Sequence, residues 1–216
     1  MKNFDPMEMM GVLTRLDSRA SGVWVGHIAT KEKIEQIATT PWHDPALDRY
    51  TNKQRMKEVG ASTMNLTAFI SENLFTALAN SLEDFWIDVR VETGFKYDIW
   101  KSPLRPDYLH EAKTVRSIAN VVKHNRSMID KSSSAHAKFL VEDAGFPDLQ
   151  HLKTLFLEND PLLKTADMNY FIYLYCHDLL KHITKMSYPL LEIPEPRRRA
   201  LITSHLVPSV LKLNAM

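Results

Sequence analysis

Leu66-Thr67-Ala68-Phe69-Ile70-Ser71-Glu72-Asn73-Leu74-Phe75-Thr76-Ala77-Leu78 is the run whose reading decides the fold class. Its apolar residues Leu66, Phe69, Ile70, Leu74 and Leu78 recur at three- and four-residue steps, and Leu82, Phe85 and Val89 continue the series. At about 100° per residue these steps keep one side of an α-helix apolar, whereas a half-buried strand needs strict alternation. The pattern predicts a helix over 62–91, flanked by the solvated residues Glu72, Asn73, Asn80, Glu83 and Asp84. Thr93-Gly94 closes it, since glycine accepts the left-handed conformation that ends helices.

Toward the N-terminus the signal weakens. A short helix is expected over 7–16, with Met10, Val12, Leu13 and Leu16 as its apolar residues. Ser21-Gly22-Val23-Trp24-Val25-Gly26-His27-Ile28 is the most strand-like piece of the chain, expected as an extended arm or a short hairpin strand. A helical turn or two follows at 31–37. The prolines of Thr40-Pro41-Trp42-His43-Asp44-Pro45 force a loop. The stretch to Gly60 is polar, with Arg49, Lys53, Arg55 and Lys57, and is expected to be mobile. Residues 1–60 hold too few apolar side chains for a core of their own and read as an extension.

Toward the C-terminus, residues 95–109 read as a packed loop and a second helix is expected from Pro106–Asp107 to about His124–Asn125. Residues 125–134, with Arg126, Asp130, Lys131 and three serines, read as a surface loop. A helix over 135–144 ends at Gly145, and the stretch to Pro161 is irregular or briefly helical. A last strong helix spans about 165–186, with Met168, Phe171, Ile172, Tyr175, Leu179 and Ile183 at helical spacing. Beyond Tyr188 the tail contains Pro189, Pro194, Pro196 and Arg197-Arg198-Arg199.

Composition agrees with an all-α reading. Only six glycines occur in 216 residues, and no Gly-rich strand–helix turn of a nucleotide-binding α/β fold is present. The expected architecture is a helical bundle with an irregular N-terminal extension: 1–60 extension, 61–187 bundle core, 188–216 tail on or beside the bundle. Lys and Arg number 27 against 26 Asp and Glu, so no global field draws the chain to nucleic acid or an anionic membrane. A single cysteine, Cys176, excludes an intramolecular disulfide and fits a reducing compartment. No run approaches the 18 or so uncharged apolar residues of a membrane span, and Met1-Lys2-Asn3-Phe4-Asp5-Pro6 lacks the form of a secretory signal. A cytoplasmic protein without membrane contact is expected.

Motif chemistry is sparse. The chain has no P-loop, no cysteine pair for zinc, no His-Glu-x-x-His and no Glu-x-x-His. Cys176, beside aromatic residues in an apolar run, reads as a packing residue. Arg197-Arg198-Arg199 reads as a solvated basic run with affinity for phosphate or an acidic partner as the sharper alternative. His177-Asp178 resembles the paired ligands of metal-dependent HD phosphohydrolases. That family needs an earlier histidine, for which His151 is placed, and a later aspartate. No aspartate follows Asp178, and Glu192 or Glu195 would have to substitute. A helix with His177, Asp178, Lys181 and His182 on its wet side is the simpler reading.

One constellation remains. On the second helix Val115, Ile118, Ala119 and Val122 share an apolar arc, while Arg116, Asn120, Lys123 and His124 fall on the neighbouring arc. Arg116, Asn120 and His124 stand at successive i,i+4 steps, so adjacent members meet. With Arg126 and Lys131 they make a locally basic surface in a nearly neutral chain. A cation, an amide and an imidazole on one ridge suit a phosphate and a proton transfer.

A long amphipathic helix, a helix bearing Arg116…Asn120-x-x-Lys123-His124, and another long helix together resemble the HEPN superfamily of small α-helical proteins. Many of its members are metal-independent ribonucleases of toxin–antitoxin and antiphage defence systems. Their signature is Arg, then four to six residues of which the first is usually polar, then His, often completed across a dimer. Arg116-Ser117 and His124 match its two halves, with seven residues between Arg116 and His124, one more than the pattern. The resemblance covers roughly 62–186. It implies His124 as general acid or base on an RNA 2′-hydroxyl and Arg116 as stabiliser of phosphorane charge. Lys123, Asn120 and Arg126 would hold phosphate. It further implies no metal or cofactor, RNA as a partner, and a homodimer or partner protein. The alternative is a non-enzymatic helical interaction or adaptor protein, in which Arg116 and His124 tie helices together.

Overall fold

The chain is all-α, with one minor two-stranded pairing among the described residues. A computed structural model describes residues 5–39, 41–96, 98, 100–101, 104–157 and 165–185. Their order is α1 (Pro6–Ala38), α2 (Arg49–Thr93), α3 (Leu109–His124), β1 (Met128–Ile129), α4 (Ala135–Glu142), β2 (Gln150–His151), α5 (Leu152–Leu157) and α6 (Thr165–Thr184). The expected tail from 188, with Arg197-Arg198-Arg199, Glu192 and Glu195, lies outside the described residues.

Two N-terminal expectations are corrected. Residues 21–28 are not extended but continue α1 without interruption. No proline falls between Pro6 and Pro41, so helix propagation, which adds one hydrogen bond per residue fixed, runs through a brief β-like alternation. Asp5 starts the helix, its Oδ1 accepting the Met7 N–H at 2.8 Å, with Pro6 at the first helical position. Met9, rather than Met10, joins Val12, Leu13 and Leu16 in full burial. The second correction concerns the polar stretch before Gly60. Only 41–48 is irregular there, as the prolines require, and α2 begins at Arg49 rather than near 62.

Asp48 caps that start. Its Oδ1 accepts from the N–H groups of Tyr50 (2.7 Å) and Thr51 (2.9 Å), and Thr51 Oγ1 donates to Oδ2 at 2.6 Å. These bonds, led by the Thr51 hydroxyl, hold the Asp48 carboxyl below its usual range. The buried Asn52 pins the preceding loop, accepting from the Asp44 N–H at 2.7 Å and donating to the Asp44 and Leu47 carbonyls. At its far end α2 closes as expected. Thr93 Oγ1 donates to the Val89 carbonyl at 2.6 Å, and Gly94 follows at φ +66°.

The chain forms two compact units, each drawn from separate segments. Of the described residues, the first joins those of 5–22, 78–113 and 165–185. Its core brings Leu13 and Leu16 of α1 together with Leu82, Phe85 and Val89 of α2 and Tyr175, Cys176 and Leu179 of α6. Arg15 pairs with Asp88 at 3.0 Å, and Arg19 reaches Asp88 at 3.5 Å. Trp100 stacks on Tyr175 with ring centroids 6.2 Å apart. No described helix is long and apolar enough to cross a membrane.

Of the described residues, the second unit joins those of 23–77 and 114–157. Its core holds Ile70, Leu74 and Phe75 of α2, Val115, Ile118 and Val121 of α3, and Ile129, Leu140, Leu152 and Phe156. Phe75 stacks on Phe156 at 5.8 Å. The apolar stripe predicted on α2 is buried from Ile70 to Val89. Its first members, Leu66 and Phe69, stand 36% and 62% exposed. The expected surface loop 125–134 is corrected in part: Met128 pairs with His151 and Ile129 with Gln150, antiparallel, and Ser127 and Ile129 are buried.

Candidate functional site

α3 earns its place by its apolar arc. Val115, Ile118, Ala119 and Val121 are buried, with Val121 deeper than the expected Val122, and the flanking Thr114 and Ser117 are buried as well. The polar ridge therefore emerges at the edge of a packed face. Arg116 and Asn120 are half-buried, and Lys123 and His124 are exposed at the last turn. Arg116 and His124 are eight residues apart, which places their Cα atoms about 80° apart around the axis and roughly 12 Å along it.

Each ridge residue is committed differently. The Asn120 amide donates to the Arg116 carbonyl at 2.9 Å, bracing its own helix. Arg126 lies exposed just past the helix end, in a turn where Arg126 and Ser127 adopt φ of +50° and +61°. Two successive left-handed residues without glycine are costly, and the turn is held by surrounding bonds. The Asn125 and Ser127 N–H groups both donate to the Val121 carbonyl, at 2.9 and 3.2 Å, and Leu152 N–H donates to the Ser127 carbonyl at 2.8 Å. Lys131 is engaged with Asp148: its Nζ is 3.4 Å from Oδ2 and its backbone N–H donates to Oδ1 at 3.1 Å. Those bonds, the backbone one foremost, hold the Asp148 carboxyl below its usual range.

The turn delivers a residue that periodicity on α3 had no means of finding. α4 starts at Ala135, capped by Ser134, whose Oγ accepts the Ala137 N–H at 3.1 Å. The Asn125 amide, one residue beyond His124, donates to Ser133 Oγ at 2.6 Å and to Ser134 Oγ at 3.2 Å. The end of α3 is thereby stitched to the start of α4. His136, in the first turn of α4, places Nδ1 3.2 Å from Ser117 Oγ. Its pKa is lowered, first by burial and then by electrostatic interaction with the Arg116 guanidinium and the His124 ring. The structure thus brings Arg116, Ser117, His124 and His136 into one electrostatic neighbourhood. The only trace of His136 in the sequence is a Ser134-Ala135-His136 helix start, which carries no pairing information.

The other candidates have structural partners. Asp178 Oδ2 accepts the Asp107 N–H at 2.8 Å and lies 3.2 Å from His182 Nδ1, so it ties the turn before α3 to α6. His151 Nδ1 accepts the Lys153 N–H at 3.0 Å. Among the described residues no group of three or more His, Cys, Asp or Glu is placed to hold a metal ion. Cys176 is fully buried, and burial pushes its thiol well up. Comparison of the chain with family models, curated proteins and solved structures finds no match to any of them.

Proposed function

We propose that this is a HEPN-like RNA-acting protein, a metal-independent endoribonuclease of a defence or toxin–antitoxin type, with Arg116 and His124 carrying the chemistry. The observation that carries the reading is the 3.2 Å approach of Ser117 Oγ to His136 Nδ1, which sets the half-buried His136 against the helix that bears Arg116 and His124. Basic groups converge there beside an exposed helix end. A phosphodiester is the substrate class such a cluster suits, since it brings negative charge to a guanidinium and a protonatable ring. Arg116 meets the charge that grows on the phosphoryl oxygens, and His124 moves a proton at the reacting oxygens. The exposed Lys123 and Arg126 extend the basic surface along which a strand would lie.

Purified protein incubated with a mixed RNA pool in excess EDTA tests this directly. Cleavage by the wild type that both His124→Ala and Arg116→Ala lose is the expected result. Intact RNA in every lane, with folded protein at high concentration, overturns it.

A second reading, an interaction or adaptor protein, draws on a different observation. On α2, Leu66 (36% exposed) and Phe69 (62% exposed) stand about 60° apart around the axis, and Met64 (50% exposed) precedes Leu66 by less than a turn. Exposed large apolar side chains grouped on one helix favour a protein partner or a second copy of the chain. Loss of self-association or partner capture in Phe69→Ser, with Arg116 and His124 dispensable, is the outcome that separates this reading from the first.

A further inference from the structure

We propose that His136 is the proton acceptor of this site and His124 its proton donor, with the buried Ser117 acting as the positioning residue that fixes the His136 ring. The inference rests on the phosphodiester-cleaving reading above and adds the group that starts the reaction.

Geometry carries it. Ser117 Oγ lies 3.2 Å from His136 Nδ1, and Ser117 is 3% exposed, so its hydroxyl is a fixed partner for the ring and does not meet substrate. When Nδ1 holds the proton and donates it to Ser117 Oγ, Nε2 keeps its lone pair. The Asn125 bonds to Ser133 and Ser134 fix the start of α4 against the end of α3, which sets His136 within the fields of both Arg116 and His124. Arg116 and His124, both on α3, act electrostatically on His136. On α4 itself Lys138 and Glu142 pair with each other at 3.8 Å. Two positive neighbours and partial burial favour the uncharged ring. A neutral imidazole near a second imidazole and a guanidinium supplies one nitrogen that takes a proton and one that gives it.

The reaction balances as a transesterification. His136 Nε2 takes the proton of the ribose 2′-hydroxyl, and the 2′-oxygen forms a bond to phosphorus. Arg116 stabilises the charge on the non-bridging oxygens. The bond from phosphorus to the 5′-oxygen breaks, its electron pair leaves with that oxygen, and the His124 imidazolium protonates it. The products are a 2′,3′-cyclic phosphate and a 5′-hydroxyl, with His136 charged and His124 neutral. Exchange with water restores both.

The test is the pH dependence of kcat/KM for RNA cleavage in EDTA, with the full chain as wild type, His136→Gln, His136→Asn, Ser117→Ala, Ser117→Thr and His124→Gln. Circular dichroism accompanies each variant. The expected wild-type profile is bell-shaped, with new 2′,3′-cyclic phosphate ends. His136→Gln loses about 10²- to 10⁴-fold in rate and the acidic limb, and His124→Gln loses the alkaline limb. Ser117→Ala moves the acidic limb to lower pH, because the serine oxygen supports the charged ring, and Ser117→Thr restores it. Wild-type cleavage that persists in a folded His136 variant with its acidic limb unchanged overturns the assignment of His136 and leaves the Arg116–His124 reading standing. Absence of cleavage by folded wild type overturns both.

Discussion

His136 owes its charge state to where α4 begins, and that gives a consequence at the level of one residue that does not depend on catalysis. Its folded pKa lies below the ordinary 6.5, with burial the leading cause and the charges of Arg116 and His124 behind it. As pH falls, the unfolded chain therefore binds this proton before the folded one does. The stabilising contribution of the neutral ring is fully present above about pH 6.5 and is lost as pH drops through the lowered value. Urea midpoints measured from pH 8 to pH 5 should fall over the acidic part of that range, and fall less steeply in His136→Gln. Equal slopes for the two proteins would show that the ring has the same pKa folded and unfolded. The residue-level reading of the sequence reached Arg116, Asn120 and His124 because one helical period relates them. It missed His136 because the link to Ser117 spans 19 residues and passes through a left-handed turn at Arg126 and Ser127. Nothing local predicts such a turn at two residues other than glycine.

At the scale of the element, α2 and α6 were legible and α1 was not, for a physical reason. In α2 and α6 the apolar period is sustained over many turns, so the helical signal accumulates. In α1 two glycines and the apolar residues Val23, Val25 and Ile28 imitate a strand over one short window, and the helix persists because nothing in the window stops it. Gly22 and Gly26 can test this. Both sit inside the helix, and a Cβ at either would meet no atom within 4 Å. Alanine there removes backbone freedom from the unfolded chain at no steric cost, so Gly22→Ala and Gly26→Ala should each stabilise by about 0.5–1 kcal/mol. Thermal unfolding reads the sign. Destabilisation by both would mean that residues 21–28 are not helical, because alanine is a poor strand residue. The same lesson governs α2, where Leu66 and Phe69 obey the period of the buried stripe yet stand exposed. Period identifies a face of a helix, and whether that face is covered depends on what the rest of the chain brings to it.

For the whole molecule, composition and scarce glycine made the all-α class readable, while the grouping of segments was not. Residues 1–60 read as an extension because they lack a core of their own, and the structure shows why they need none. Met9, Val12, Leu13 and Leu16 are fully buried within a unit completed by the described residues of 78–113 and 165–185. A sequence period states that a face is buried, never against which distant partner. Full burial of an aliphatic side chain contributes about 1.5–3 kcal/mol, so these four together supply roughly 6–12 kcal/mol before entropy. That is comparable with the roughly 5–15 kcal/mol net stability of a typical domain. Leu13→Ala should therefore cost about 2–5 kcal/mol, a loss from transfer and from the cavity left behind. Deleting residues 1–22 should expose the apolar faces of the 78–113 and 165–185 segments and abolish their cooperative unfolding. Hydrogen exchange can follow this segment by segment. If the amides of 78–89 and 172–183 stay as protected in the truncated chain as in the full one, α1 is an appendage rather than part of that core. If they lose protection together, the N-terminal residues are structural members of the unit, and a fragment lacking them is the wrong material for any test of function.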